Sequence, residues 1–309
     1  MIAKRIAVLT LGFVLSIFLI TVMTLDVGHG YRGLTTEALE GILKPRVART
    51  MVEQGNEKQY LFIGDVHGMY DKLMDLLNKV SFESSDMEVI FVGDFITKGP
   101  DNVKVVEWMM EHRDKVQFVL GNNEFSVIMC ALNPEVLQEN SAGTDIYKVK
   151  QSHLEVAQSL SGAQVEYIAQ EGTIVLEVDL EKTQQRLIAV HAGILPMDYD
   201  FSTHHLNLKS TIFSLTNMKY VNSYDNMDTS REKKGNHWQR WYKFWDAEME
   251  AHEEEHVTVI YGHDAKKGLN IRKYTKGLDS AAVKGGKLSA LLYTYDSSQN
   301  LYKEQLVQV

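Results

Sequence analysis

The sequence predicts an α/β fold preceded by one N-terminal transmembrane helix, and two patterns support this prediction. From residue 58 onward, short apolar segments alternate with amphipathic ones, which is typical of strands and helices that build a largely buried sheet. Before that point, residues 6–25 form an uncharged apolar run. With 309 residues, 44% hydrophobic and 24% charged, the chain suffices for one large or two small domains. This composition excludes a disordered tail, a collagenous repeat and a multispanning membrane protein.

The apolar run 6–25 has the length of a membrane span. A helix of this length, at about 1.5 Å per residue, covers the roughly 30 Å hydrocarbon core of a bilayer. Lys4 and Arg5 precede the run and Asp26 follows it, which favours a cytosolic N-terminus. A cleaved signal peptide is the alternative, but the run is longer than a typical h-region and no A-x-A-like site follows. We therefore expect residues 1–25 to be the cytosolic tip and signal anchor of a single-pass type II membrane protein with a luminal body.

Residues 26–57 predict a stem, because several glycines interrupt any periodic pattern there. Beyond the stem, a strand–helix–strand–helix–strand series implies right-handed crossovers within a sheet. Apolar segments predict strands at 60–63, 87–92, 116–120, 173–178, 187–190, 257–261 and 288–295. Helical periodicity predicts helices over 69–80 and 103–112. Residues 58–309 are thus expected to form the catalytic domain, with a helical or looped cap at about 195–255.

Charge and cysteine content limit the classes of function. The formal net charge of −9 argues against a broad basic surface for duplex nucleic acid. An anionic substrate stays allowed, because bound divalent cations and a few lysines can reverse the local sign. The single cysteine, Cys130, excludes a disulfide framework and any multi-cysteine metal site. The eleven histidines and 41 acidic residues can supply nitrogen and oxygen atoms as metal ligands.

Five predicted strands end next to a glycine and a potential metal ligand. The blocks are Gly64-Asp65-Val66-His67-Gly68, Gly93-Asp94, Gly121-Asn122-Asn123-Glu124, His191-Ala192-Gly193 and Gly262-His263-Asp264. Side chains at the carboxyl ends of strands in an open α/β sheet converge on one crevice. We therefore expect one cluster of two carboxylates, three imidazoles and one amide, formed by Asp65, His67, Asp94, Asn122, His191 and His263. Such a donor set suits two divalent ions that share a carboxylate.

These ordered blocks resemble the calcineurin-like metallophosphoesterases, in the branch shared by protein serine/threonine phosphatases and diadenosine tetraphosphate hydrolases. The similarity covers residues 58–305. It implies a metallophosphoesterase-type β-sandwich flanked by helices, with a two-metal site at the carboxyl ends of the strands. It also implies two divalent ions, with zinc ranked before manganese, cobalt and magnesium. By this resemblance Asp65, His67 and Asp94 hold one ion, and the other is held by Asp94, Asn122, His191 and His263.

Two positions depart from the pattern of this family. The family carries a histidine at the position of Asn123, where it serves as the general acid for the leaving group. An amide can donate a hydrogen bond but is not a general acid near neutral pH. Three explanations stay open: an engineered substitution that inactivates the chain, a naturally inactive homologue, or another residue that supplies the acid. Thr97-Lys98 stands where protein phosphatases have Asp-Arg, which argues against a protein phosphatase because lysine lacks the bidentate fork of arginine.

Basic residues in or just after the motif blocks favour a polyanionic substrate. These candidate substrate-binding residues, which could alternatively be solvated loop residues, are Lys98, Lys266, Lys267, Arg272, Lys284 and Lys287.

A membrane anchor joined to a catalytic domain of this family is similar to the anchored polyphosphate hydrolases of fungal vacuoles. The resemblance implies a two-metal endopolyphosphatase that cuts inorganic polyphosphate in the vacuolar lumen. Two alternatives are a dinucleoside polyphosphate or RNA-cap hydrolase, which needs an aromatic base-stacking pocket, and a polyphosphate-binding protein without catalysis.

Overall fold

The computed structural model describes residues 48–52, 58–132, 149–252 and 254–309. The predicted membrane anchor at 6–25 and most of the predicted stem lie outside these residues, so both stay predictions. Within the described ranges, no helix has the length and apolar character that crossing a bilayer requires.

The strands and helices of the described residues follow the predicted alternation. The strands are β1 (Ala48–Val52), β2 (Gln59–Ile63), β3 (Met87–Phe91), β4 (Val116–Phe118), β5 (Val175–Leu180), β6 (Gln185–Val190), β7 (Tyr199–Asp200), β8 (His205–Leu206), β9 (Tyr220–Asn222), β10 (Asp225–Ser230), β11 (Trp238–Arg240), β12 (His256–Tyr261), β13 (Asn270–Ile271), β14 (Thr275–Gly277), β15 (Ser289–Asp296) and β16 (Leu301–Gln308). The α-helices are α1 (Tyr70–Lys79), α2 (Asn102–Glu111), α3 (Asn122–Leu132), α4 (Gln151–Ser159), α5 (Gly162–Glu171), α6 (Ile212–Asn217) and α7 (Trp241–Ala251). Each strand and helix predicted from the apolar patterns is confirmed, and both of its ends lie within two residues of the predicted ones.

Two β-sheets form the centre of the domain. The five-stranded sheet has the order β16-β15-β2-β3-β4, and the six-stranded sheet has the order β1-β5-β6-β12-β14-β13. The neighbours β2, β3 and β4 are parallel, as the predicted crossovers require. Strand β12 likewise pairs in parallel with β6 and with β14. The carboxyl ends of β2, β3 and β4, and those of β6 and β12, therefore each lie along one edge of their sheet.

The two sheets pack face to face and helices cover their outer faces. Phe62 and Ile90 of one sheet and Leu187 and Ile260 of the other are fully or almost fully buried in a shared core. This pairing confirms the sandwich that the family resemblance implies. Residues of opposite parity point outward, because side chains alternate along a strand. On the outer face of the five-stranded sheet, for example, the ring of Phe91 lies 6.3 Å from that of Trp108 in α2.

Two regions differ from the sequence prediction. The segment 195–255, expected to be helical or looped, also contains an antiparallel three-stranded sheet of order β10-β9-β11. Its outer strand β10 is mostly exposed and polar, so it lacks the apolar alternation on which the strand prediction depends. In the predicted stem, β1 adds a parallel edge strand to β5. The sandwich therefore begins within the segment that was predicted to be a stem.

Candidate metal centre

The predicted metal ligands meet at the carboxyl ends of the strands. Ligand atoms of Asp65, His67 and Asp94 all lie within 4.8 Å of one another, and all three residues are buried. His191 joins them from the end of β6, with Nε2 lying 3.4 Å from Asp94 Oδ1. The same Nε2 lies 3.3 Å from the side-chain oxygen of Asn122, the first residue of α3. The predicted convergence on one place is confirmed, and both sheets contribute candidate ligands to it.

The imidazoles of His191 and His263 point their free lone pairs at each other. Nδ1 of His191 lies 3.0 Å from the carbonyl oxygen of Val92, and Nε2 of His263 lies 3.0 Å from that of Asn217. A carbonyl accepts only, so these two nitrogens carry the hydrogens and the opposite nitrogens carry lone pairs. Those opposite nitrogens are 3.2 Å apart. Two lone pairs at this distance repel each other, whereas a cation coordinated by both would be stabilised. The donor set therefore fits a divalent ion here.

His67 has the same arrangement on the other side of Asp94. Its Nδ1 lies 3.2 Å from the carbonyl oxygen of Ile96, which leaves the lone pair on Nε2. The ammonium of Lys98 lies 2.7 Å from that Nε2 and 3.9 Å from Asp94 Oδ2. A carbonyl bond at the distal nitrogen is how proteins fix the ring and tautomer of metal-binding histidines. The residues present thus fit a second divalent ion among Asp65, His67 and Asp94.

Burial and the interactions among the candidate ligands favour the protonation states that bind a metal ion, except at Asp65. Burial lowers the pKa of His191 and of His263, and both rings are therefore neutral. Burial alone would raise the pKa of Asp94, but its electrostatic interactions with His191, His67 and the ammonium of Lys98 hold that pKa below its usual range. Burial first, then the charges of Asp279 and Asp94, raises the pKa of Asp65. A divalent cation beside Asp65 would offset this effect, because an opposite charge favours the ionised carboxyl.

Glu124, the last residue of the third block, anchors the loops that carry the ligands. Its buried carboxyl group accepts backbone N–H groups from Asp94 and Gly121 at 2.8 Å and from Ile96 at 3.2 Å. Burial and the neighbouring charge of Asp94 raise the pKa of Glu124 to about 8, while the three N–H groups oppose this shift. The sequence contained Glu124 in its motif but did not indicate this role.

Asn123 lies directly against the carboxylate that is expected to bridge the two ions. Its backbone N–H donates to Asp94 Oδ1 at 3.0 Å, and its side-chain Nδ2 donates to Asp94 Oδ2 at 2.5 Å. Its side-chain oxygen lies 3.1 Å from Nε2 of His153, a buried residue of α4. His153 has no motif around it, and nothing in the sequence indicates its place in the site.

Several residues of the site have a left-handed backbone. His67, Asp94 and His263 have φ values of 48°, 53° and 69°, and Thr97 and Lys98 have 75° and 68°. This region is unfavourable for residues other than glycine, so it persists only where surrounding contacts impose it. Three predicted ligands and the predicted phosphate-binding lysine share this conformation. Such clustering is typical of a functional site.

The predicted substrate-binding residues differ in position. Lys98 lies in the centre, with its side chain 47% exposed. Arg272 instead forms an ion pair with Asp246 of α7, so its guanidinium already has a carboxylate partner although its side chain is 40% exposed. The remaining four are exposed, and their role in substrate binding stays a prediction; they are Lys266, Lys267, Lys284 and Lys287.

A cationic cluster from the cap was missed by the sequence analysis. Lys219 and Arg240 both form ion pairs with Asp264, the residue after His263. Arg231 donates to the side-chain oxygen of Asn217 at 3.2 Å, and the carbonyl of this same asparagine accepts from His263. We call Lys219, Arg231 and Arg240 the cap cations. Lys219 directly precedes β9, Arg231 follows β10, and Arg240 ends β11; the sequence did not predict these three strands.

Comparison with known proteins agrees with this geometry. The model of a family described as calcineurin-like phosphoesterase matches residues 59–293. The zinc-dependent endopolyphosphatase of Saccharomyces cerevisiae is 36% identical over 269 residues, covering 82% of this chain and 81% of that protein. The symmetrical bis(5'-nucleosyl)-tetraphosphatase of Wigglesworthia glossinidia brevipalpis is 22% identical over 276 residues, or 75% of this chain and 94% of that protein.

A solved structure shows the same fold. A crystal structure assigned provisionally as a diadenosine tetraphosphatase has a TM-score of 0.59 and 23% identity, covering 84% of this chain and 98% of its own. The family match spans most of the sandwich and includes every predicted ligand. The protein is therefore a metal-dependent phosphohydrolase, and the chain belongs to the calcineurin-like phosphoesterases.

Proposed function

We propose that this protein is an endopolyphosphatase, which hydrolyses phosphoanhydride bonds within inorganic polyphosphate with the help of two zinc ions. The observation that carries the proposal is the 36% identity to a zinc-dependent endopolyphosphatase over 82% of the chain. The donor set around Asp94 supports it, because imidazole nitrogen and carboxylate oxygen are common zinc ligands.

Each side chain of the centre has a role in this reaction. Asp65, His67 and Asp94 would hold one ion, and Asp94 would share the second with Asn122, His191 and His263. Two such ions activate water and neutralise the phosphoryl oxygens. The carbonyl bonds of the three imidazoles keep the rings oriented before substrate binds, and the bonds to Glu124 fix the loop of Asp94.

Positive charge on two sides of the centre favours a long polyanion. Lys98 lies beside His67, and the cap cations lie beside His263. Asp264 neutralises only one of the two charges paired with it, so the cap cations keep a net positive charge. A substrate held by Lys98 and by the cap cations would extend past the metal pair in both directions. This placement suits a cut within a phosphate chain.

The aromatic side chains of the cap disfavour a nucleotide substrate. Trp238, Trp241 and Trp245 are at most 4% exposed, so their faces are not free for a base. Tyr224, in contrast, is 87% exposed and stacks on His237. A dinucleoside polyphosphate hydrolase needs aromatic faces on which its bases can stack. The three tryptophans do not offer such faces, and one face of Tyr224 is already occupied by His237.

A direct comparison of substrates tests the proposal. The full-length protein, loaded with zinc, is given long polyphosphate of narrow length distribution, and products are separated by gel electrophoresis. Internal cleavage predicts products of intermediate length before orthophosphate accumulates. Faster turnover of diadenosine tetraphosphate, or release of orthophosphate alone from long chains, would contradict the proposal.

A matched pair of arginine variants sharpens this test. Arg231→Gln removes a cap cation, whereas Arg113→Gln removes an exposed arginine that pairs with Glu171 on another part of the surface. Loss of a charge-assisted phosphate contact of about 1.5 kcal/mol corresponds to roughly a tenfold higher KM for polyphosphate. Arg113→Gln is expected to leave KM unchanged. Equal KM values for the two variants would remove the cap cations from the substrate site.

We also propose that residues 6–25 anchor the protein in a bilayer, with the catalytic domain in the vacuolar lumen. The uncharged run and the basic residues before it support this topology. Replacing residues 1–25 by a cleavable secretion signal is expected to release a soluble body that retains its zinc. Aggregation or loss of zinc would mean that the run packs against the domain instead. Protease digestion of the domain in sealed vacuoles, where a luminal domain is protected, would contradict the topology.

A further inference from the structure

His153 is the buried residue whose place in the site the reaction described above does not explain. It is 5% exposed and occupies the third position of α4. Its Nε2 atom lies 3.1 Å from the side-chain oxygen of Asn123, which is thirty positions earlier in the chain. Asn123 in turn contacts Asp94. The three side chains form one hydrogen-bonded series that ends at the expected bridging carboxylate.

The hydrogen bonds determine which nitrogen of His153 carries the hydrogen. The backbone N–H of Lys150 donates to Nδ1 of His153 at 3.1 Å, so Nδ1 is the acceptor. Burial lowers the pKa of His153 to about 4, which keeps the ring neutral with a single hydrogen. That hydrogen is therefore on Nε2 and is donated to Asn123.

The direction of this bond fixes the amide of Asn123. Because Oδ1 must accept from His153, the NH2 group faces Asp94 and the metal centre. One amide hydrogen is used by Asp94 Oδ2. The second hydrogen stays available for a substrate oxygen. A rotation of the amide by half a turn would bring Oδ1 against the Asp94 carboxylate and NH2 against the His153 N–H, which is unfavourable at both ends.

We propose that His153 is a positioning residue, which orients Asn123 so that its NH2 group donates a hydrogen bond to the leaving oxygen of the cleaved phosphate bond. This inference rests on the proposed function. Water supplies the new P–O bond and loses a proton to solvent, while the old P–O bond breaks with its electron pair on the leaving oxygen. Asn123 stabilises that negative charge without transferring a proton.

The chemistry of the substrate explains why an amide suffices. The leaving group in polyphosphate is a phosphate chain, a stable anion that departs without protonation. An alcohol or phenol leaving group has a higher pKa and depends more strongly on acid catalysis. The pair Asn123–His153 is therefore expected to favour phosphoanhydrides over phosphate esters, and its loss should matter most for the poorest leaving groups.

Two variants of His153 with equal side-chain length separate positioning from packing. In His153→Gln the amide can accept from Lys150 and donate to Asn123, whereas in His153→Met neither bond forms. We expect His153→Met to lower kcat on polyphosphate by about 10–100-fold, the usual cost of losing a residue that orients a metal site. KM and zinc content should stay unchanged, and His153→Gln should retain most of the activity.

The leaving-group dependence distinguishes this role from a structural one. With phenyl phosphate and p-nitrophenyl phosphate as substrates, His153→Met should lower kcat more for phenyl phosphate, whose leaving group is poorer. Equal losses for both esters would indicate a purely structural role and overturn the proposal. So would wild-type kcat values in a zinc-loaded His153→Met variant.

A spectroscopic readout tests the inference without any activity measurement. Nitrogen-15 NMR of the metal-free wild-type protein should show His153 as the Nε2–H tautomer, with slowly exchanging side-chain amide hydrogens on Asn123. The slow exchange should persist in His153→Gln and be lost in His153→Met. The Nδ1–H tautomer would overturn the inference even if polyphosphate is cleaved. Correct NMR signatures in a protein that does not cleave polyphosphate would instead contradict the proposed function.

Discussion

Replacing Asp94 by asparagine is expected to lower polyphosphate hydrolysis at least about 10³-fold, because the catalytic contribution of the ions amounts to several kcal/mol and each 1.36 kcal/mol corresponds to a factor of ten. Asp94 is the carboxylate that contacts the ligands on both sides, with His67 Nε2 at 3.7 Å and His191 Nε2 at 3.4 Å. The substitution removes the negative charge that both ions would share. It also places the new NH2 group against the NH2 group of Asn123, so the hydrogen bond between these two side chains is lost.

Elemental analysis by mass spectrometry checks this expectation. The variant should bind clearly less zinc than the wild-type protein, while the fold persists. Asp179→Asn is the matched control, since it neutralises another buried carboxylate of the sandwich, which pairs with Arg186 at 3.3 Å. The control should keep its zinc and its activity. A full complement of two ions in Asp94→Asn would contradict the bridging role.

Adding one methyl group at Gly262 is expected to reduce activity about 100-fold, a loss that misplacing a reacting group by about 1 Å can cause. A Cβ atom at this position would lie 2.0 Å from Oδ1 of Asp65, far inside van der Waals contact. The carboxylate must therefore move. Asp65 also accepts the backbone N–H of His263 at 3.1 Å, so the displacement would disturb two predicted ligands together.

Gly162→Ala provides the control for the general effect of removing a glycine. Gly162 begins α5, and a Cβ atom there would have no other atom within 4 Å. Activity should be unchanged, and thermal unfolding should show equal or higher stability, because alanine favours helix by up to about 1 kcal/mol over glycine. A zinc content and kcat of Gly262→Ala equal to those of the wild-type protein would contradict the prediction, because the close approach of Gly262 to Asp65 would then not matter for activity.

The cluster of candidate metal ligands could be predicted from the sequence because the pattern that indicates it is local. Each ligand follows an apolar strand directly, and parallel strands bring their carboxyl ends to one edge. Asp65 and Asp94 were thus placed correctly without knowledge of any long-range contact. The elements α1 and α2 were predicted for the same reason, since their apolar faces repeat with the helical period.

The residues that surround the ligands could not be predicted in this way. His153 reaches Asn123 from a helix with no motif, and only the tertiary fold brings the two together. The cap cations lie on or directly beside short strands, whose residues do not alternate between apolar and polar in the way that predicts a strand. The ion pair of Arg272 could not be predicted either, because nothing near it in the sequence indicates that Asp246 pairs with its side chain. Such pairings depend on contacts between elements that are distant in the chain.

The most direct test of the metal centre is anomalous X-ray diffraction at the zinc edge from crystals of the zinc-loaded protein. Two peaks about 3.5–4 Å apart are expected, as in other two-metal hydrolases. One peak should lie about 2.0–2.2 Å, the usual distance of a zinc ligand, from Asp65 and His67. The other peak should lie at the same distance from His191 and His263. Both peaks should also lie at this distance from Asp94. A single peak, or two peaks that do not share Asp94, would contradict the account.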